Sequence, residues 1–190
     1  MMGAGWMEAR LRCGRRTITL CPGYSTDVLG GLLESTLELI ESSGTMQEVP
    51  EKGPKYEAPL QAIPCYWDCE PGNYLWDLTY VSAEHLSVSF CEILPDKKKP
   101  EHKLLFETEI SAKAWCEMLL SNAARILRRR GLAGYHAGWM GNDFPVGAYL
   151  RLLAYRKKQF RLGSAADDFL RSETTSLSHD LGVLRREALA

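Results

Sequence analysis

The chain lacks any uninterrupted apolar run near the ~18 residues that a membrane-spanning helix requires. It also lacks an excess of either charge: 23 Lys plus Arg stand against 24 Asp plus Glu, a net charge of −1. That balance supplies no general field for nucleic acid or an anionic membrane, so neither is expected as a partner. Histidine is scarce. His85, His102, His136 and His179 are scattered singly, at no zinc-ligand spacing. The nucleophile elbow, the phosphate-cradling P-loop, the glycine fingerprint of dinucleotide binding, the zincin helix and the EF-hand loop are all missing. These absences weaken the case for the large hydrolase, kinase and dehydrogenase classes. They leave binding in front, with no cofactor and no metal. The opening residues, Met1 to Glu8, show neither the basic flank nor the apolar block of a signal peptide, and a cytoplasmic location is expected.

What is present describes an ordinary folded chain: 190 residues, 45% hydrophobic and 25% charged. This suits one domain, placed over residues 1–163, with a helical tail over 164–190. The six cysteines, Cys13, Cys21, Cys65, Cys69, Cys91 and Cys116, are read as reduced thiols, because Cys91 and Cys116 sit inside apolar patterns and the core needs no staples. Cys65 and Cys69 resemble half a zinc site, but an extended strand puts both on one face without a metal.

Alternation dominates the centre of the chain. Strands are predicted at Arg15–Leu20, Cys65–Cys69, Tyr74–Val81, Leu86–Ile93 and Leu104–Ile110, joined by turns such as Glu70-Pro71-Gly72-Asn73. Residues 1–14 read as basic and irregular, and 45–64 as the longest loop. Helical spacing follows the capping oxygens of Ser25-Thr26-Asp27 and those of Ser111, the latter helix ending in the arginines before Gly131. A glycine-rich connection over 132–141 then leads to Asn142-Asp143-Phe144-Pro145, read as a capped helix start. The expected fold is α+β: an antiparallel sheet of about five strands, two or three helices packed on one face, and a C-terminal helical tail.

Three constellations carry candidate chemistry. The carboxylates Glu70, Asp77, Glu107 and Glu109, on or beside strands, are expected to form an acidic surface that complements a basic partner. The arginines from Arg125 to Arg130, with Arg128 and Arg129 foremost, offer a basic patch to an acidic protein or to phosphate; the bland alternative is a solvated helix end meeting its dipole. His136 and Asp143 form the alternative, catalytic reading: a histidine oriented by a carboxylate near a glycine-rich loop. The aromatics Tyr66, Trp67, Tyr74, Trp76 and Tyr80 are read as core rather than as a base-stacking platform.

The helix opening Tyr24-Ser25-Thr26-Asp27, the hairpin Glu70 to Trp76, the strand–helix unit Phe106 to Leu127 and the closing pattern Trp139 to Phe144-Pro145 resemble small uncharacterised bacterial α+β proteins. Some of these are similar to the immunity proteins of polymorphic-toxin systems. The resemblance spans residues 15–160 and rests on turns and caps, so it transfers no site residues. It implies a non-catalytic protein-binding module whose partner is a protein, a toxin in that case. The competing expectations are a small enzyme at the 131–143 loop and a nucleic-acid adaptor, and the tail is a candidate element for self-association.

Overall fold

Period-two alternation in the middle of the chain builds a four-stranded antiparallel sheet. The computed structural model describes residues 2–3, 6–23, 25–46, 62–69, 72–94, 101–156, 159–160, 162 and 176–189. Two short strands, β1 (Met2–Gly3) and β2 (Trp6–Met7), pair with each other, and β3 (Ala9–Cys13) pairs with β4 (Arg16–Leu20). The main sheet follows the order β5 (Ile63–Asp68), β6 (Asn73–Tyr80), β7 (His85–Leu94), β8 (Glu101–Ser111). Pro64 is tolerated because β5 is an edge strand, where a missing N–H breaks no ladder bond.

This refines the expected five-stranded sheet. The strand around Ile18 does form, but its partner is upstream, with Leu11 opposite Ile18. Residues 9–13, expected to be irregular, alternate apolar Ala9, Leu11 and Cys13 with exposed Arg10 and Arg12. The arginines disguised a half-buried strand as a basic arm. Gly14 closes the hairpin at φ 58°, a conformation that glycine adopts without a steric penalty.

On the sheet's inner face Cys65, Trp76, Phe90 and Phe106 stand opposite one another across all four strands. Ring centroids lie 4.5 Å apart for Trp76 and Phe90 and 5.5 Å for Phe90 and Phe106. Trp67 and Trp76 are buried here, as core rather than platform, and Cys65 and Cys69 join them inside the core. Helix α1 (Val28–Met46) covers β5 and β6, and α2 (Ala112–Gly138) follows β8 directly and lays Trp115 5.9 Å from Trp76. The α1–α2 contact is pinned by a buried chain of hydrogen bonds: Trp115 Nε1–H donates to Thr36 Oγ1 at 3.0 Å, and that hydroxyl donates to the Leu32 carbonyl at 2.7 Å.

Two helix boundaries differ from expectation. The stretch after Gly131 is helical as far as Gly138, where a connection was expected; Gly131, at φ 63° and ψ −179°, ends the first helical segment of α2 as expected, and a second, short segment follows it. Helix α3 (Val146–Tyr155) has no side-chain cap: Pro145 occupies the capping position, and the Asp143 carboxylate contacts His136. Helix α3 packs against α1 and α2. The tail helix α4 (Leu177–Leu189) docks on α2 and α3, where Arg156 bridges Glu187 at 2.8 Å and Glu117 at 3.2 Å. The predicted loop over 45–64 falls mostly outside the described residues, with α1 reaching Met46 before it and β5 starting at Ile63.

Thr36→Val is expected to leave the Trp115 N–H buried without an acceptor and to cost about 1–3 kcal/mol in chemical denaturation. Unchanged stability would show that the hydroxyl does not carry the α1–α2 contact.

Candidate functional site

The alternation that turns Trp76, Phe90 and Phe106 inward turns their chain neighbours outward. One outer row reads Pro64, Asp77, Ser89, Glu107, and the next reads Thr79, Ser87, Glu109. Asp77 and Glu107 stand two strands apart, about 10 Å at the backbone. The Ser87 hydroxyl reaches the Glu107 carboxylate at 3.5 Å. Partial burial pushes the Asp77 carboxyl above its usual range, and His102 on the same face opposes that shift. A further outer row is apolar: Tyr66, Leu75, Cys91 and Leu104. Leu75 and Cys91 are buried, whereas Leu104 and Tyr66, the latter expected in the core but turned outward by the alternation, keep 55% and 58% of their surface exposed. Burial, with Asp77 and Glu107 nearby, raises the Cys91 thiol, which makes it a packing group and a poor nucleophile.

Of the residues singled out from sequence, Asp77, Glu107 and Glu109 therefore come together on one surface. Glu70 lies outside the described residues. Arg128 and Arg129 are exposed on α2, on the helical side of the sheet, so they form a separate patch from the carboxylates.

His136 and Asp143 also meet. After α2 the chain reverses through Met140 and Gly141, at φ 48° and 111°, which returns Asp143 to the helix and puts its Oδ1 2.9 Å from His136 Nδ1. The pair borders an open groove of about 470 Å³, otherwise lined by Leu132, Ala133, Phe144 and Val146. His136 is 55% exposed and Asp143 86%. A carboxylate on Nδ1 fixes the tautomer that leaves Nε2 free as a base, but at this exposure water competes for every polar group.

A polar cluster that sequence reading missed forms around Tyr135, the chain neighbour of His136. Asp27 caps α1, accepting the Gly30 N–H at 2.9 Å, and burial pushes its carboxyl above the usual carboxylate range, against the opposing pull of the Gly30 and Leu29 amides. The wholly buried Tyr135 hydroxyl faces this carboxylate without closing a well-formed hydrogen bond; burial and the adjacent charge raise it strongly. Burial lifts the Cys65 thiol to about 11. The available signal was Gly30-Gly31. Two glycines at a helix start cost stability unless something approaches closely. A Cβ on Gly30 would lie 2.1 Å from Asp27 Oδ2, and one on Gly31 would lie 3.1 Å from Cys65 Sγ.

No protein-family model, no curated protein and no solved structure matches the chain. Among the described residues no group of three or more His, Cys, Asp or Glu side chains is arranged to hold a metal ion, and no helix is long and apolar enough to cross a membrane.

Because Asp27 holds its proton more tightly in the folded state, its contribution to stability is greatest below the unfolded value of 3.8 and is lost as pH rises through the raised folded value. Asp27→Asn keeps a capping oxygen and removes the titration. The variant is expected to be more stable than the parent at pH 7, with the gap closing near pH 3.5 in urea titrations. A gap independent of pH would refute the buried-carboxylate reading.

Proposed function

We propose that this chain is a non-catalytic protein-binding module that docks a basic protein surface on the outer face of its sheet. Its most specific form is a cytoplasmic immunity protein that occludes the active surface of a cognate toxin. The observation that supports this is the composition of one face of the sheet. Two large apolar side chains, Tyr66 and Leu104, stand exposed on the same face as the carboxylates of Asp77, Glu107 and Glu109. Aromatic anchors edged by charge are the usual make-up of a recognition surface: the apolar groups supply affinity, and the charges supply steering and register. A nuclease groove, which must attract phosphate, is the kind of basic surface such a face complements.

A second reading is favoured by one observation, the His136–Asp143 contact beside the groove. There Asp143 would orient His136 as a general base for a small substrate. The open, solvated setting gives this base little help from a water-excluded site, so the sheet face takes precedence.

Affinity capture of the tagged protein at moderate salt, read by mass spectrometry, tests both. A stoichiometric basic protein partner is expected. Asp77→Lys with Glu107→Lys, and separately Tyr66→Ala, should each weaken it by about tenfold or more, some 1.4 kcal/mol per decade. His136→Ala should leave it unchanged. Retention of the partner by all the face variants, or its loss with His136→Ala alone, would move the function to the groove.

A further inference from the structure

The two edges of the main sheet are not equivalent. At the β5 edge, Pro64 lacks a donor, its carbonyl takes the Ser35 hydroxyl at 3.4 Å, and the Asp68 carbonyl takes the Gly23 N–H at 3.2 Å. At the β8 edge the first half is also blunted. The register with β7 shifts between Phe90 and Cys91, so that Leu105 is left over as a bulge, and Arg16 from the β3–β4 hairpin reaches the Leu105 carbonyl at 3.3 Å. The second half, Phe106 to Ser111, is regular. Among the described residues no backbone group other than those of β7 pairs with it before α2 begins; on the side away from β7 the Glu109 carbonyl accepts the neighbouring Thr108 hydroxyl, at 3.3 Å. In an antiparallel edge strand every second residue turns both its N–H and its C=O outward, ready for another strand.

The side chains along this free half define what would fit. Phe106, Thr108 and Ile110 lean toward the core and are half-buried, while Glu107 and Glu109 are exposed on the outer face. A strand laid beside them presents alternate residues to the two glutamates and the intervening residues to Phe106 and Ile110. Its sequence must therefore alternate basic and apolar side chains. A second copy of the chain does not meet this requirement. Antiparallel self-pairing centred on Glu107, Thr108 or Glu109 sets glutamate opposite glutamate each time, and like charges directly opposed are destabilising.

We propose that the Phe106–Ser111 edge of β8 receives an extended segment of the partner by strand addition, and that this segment alternates basic and apolar residues. The inference rests on the docking function proposed above and specifies its mode: the outer face takes the partner's basic surface, and the β8 edge takes one of its strands.

The test uses the full chain and three synthetic peptides: acetyl-Lys-Val-Lys-Val-Lys-Val-Lys-amide, the same peptide with alternate backbone nitrogens methylated, and its Glu-for-Lys analogue. Binding is read by fluorescence anisotropy and by amide hydrogen exchange. The basic peptide is expected to bind and to slow exchange within 106–111. Backbone methylation and Glu107→Lys with Glu109→Lys should each weaken it about tenfold or more, and the acidic analogue should not bind. Equal binding of the methylated peptide would overturn strand addition while leaving the charged face intact. Protection confined to residues around Tyr66 and Asp77, or failure of the basic peptide while partner capture remains sensitive to Asp77→Lys, would do the same. Failure of the peptide together with a partner indifferent to Asp77→Lys would remove both readings. Protection of 106–111 by self-association, without peptide, would overturn the proposed occupant.

Discussion

The inner-face row of Trp76, Phe90 and Phe106 is the constraint on which the other features depend. Each ring meets the next across a strand boundary, and Trp76 also meets Trp67 at 5.4 Å and Trp115 at 5.9 Å, so one side chain ties three strands and a helix together. Each such pair adds about 0.5–1.5 kcal/mol beyond the burial of its surface. The row also determines what faces outward. Side chains in a strand alternate, so once Trp76, Phe90 and Phe106 point inward, Asp77, Ser89 and Glu107 must point out, in register with one another. A one-residue slip would bury two carboxylates and expose three aromatic rings. The core thus enforces the acidic face, which is why a surface made of three separate strands holds a fixed arrangement.

The helices work in the opposite way, through single polar contacts at a few crossing points. Thr36 and Trp115 join α1 to α2 inside the core. At the periphery Arg156 holds α2 and α4 through Glu117 and Glu187, and Arg151 reaches Glu41 of α1 at 2.7 Å. The peripheral pairs are partly open to solvent, which screens them, and the apolar contacts of Val183 and Leu184 share the docking of α4. The bend at Gly131 serves a different end. It redirects the last turns of α2 so that Tyr135 enters the core beside Asp27 while His136 stays at the surface, with the chain reversal at Met140 and Gly141 supplying Asp143. A buried polar cluster and an exposed one are thereby built from adjacent residues.

Much of this was legible in the sequence wherever the signal is local. The strands around Trp76 and Phe90, the Ser111 cap, which accepts the Ala114 N–H at 3.2 Å, and the Asp27 cap all follow from period, caps and turn residues within a few positions. The inward choice of Trp67 and Trp76 and the outward choice of Asp77 and Glu107 follow from the same alternation. Illegible were features in which a local pattern has two outcomes. Residues 9–13 have a perfect alternation, but arginine at every second position reads as a basic arm until a partner strand exists to bury the others. Gly131 reads as a stop and is one, but the glycine-rich stretch after it turns helical again as Tyr135 and Trp139 enter the core.

By itself the sequence determined the fold class, the faces of the strands and the chemical character of the acidic and His136–Asp143 groups, because each depends on the spacing of residues only a few positions apart. The tertiary structure alone decided which strand pairs with which, that the carboxylates and the arginines occupy different sides, that Asp27 lies against Tyr135, and that among the described residues half of one edge strand has no strand beyond it. Those outcomes depend on contacts between residues far apart in the chain. They are settled by which closures of the chain bury the aromatic row without leaving polar groups unpaired, and no short-range pattern encodes that.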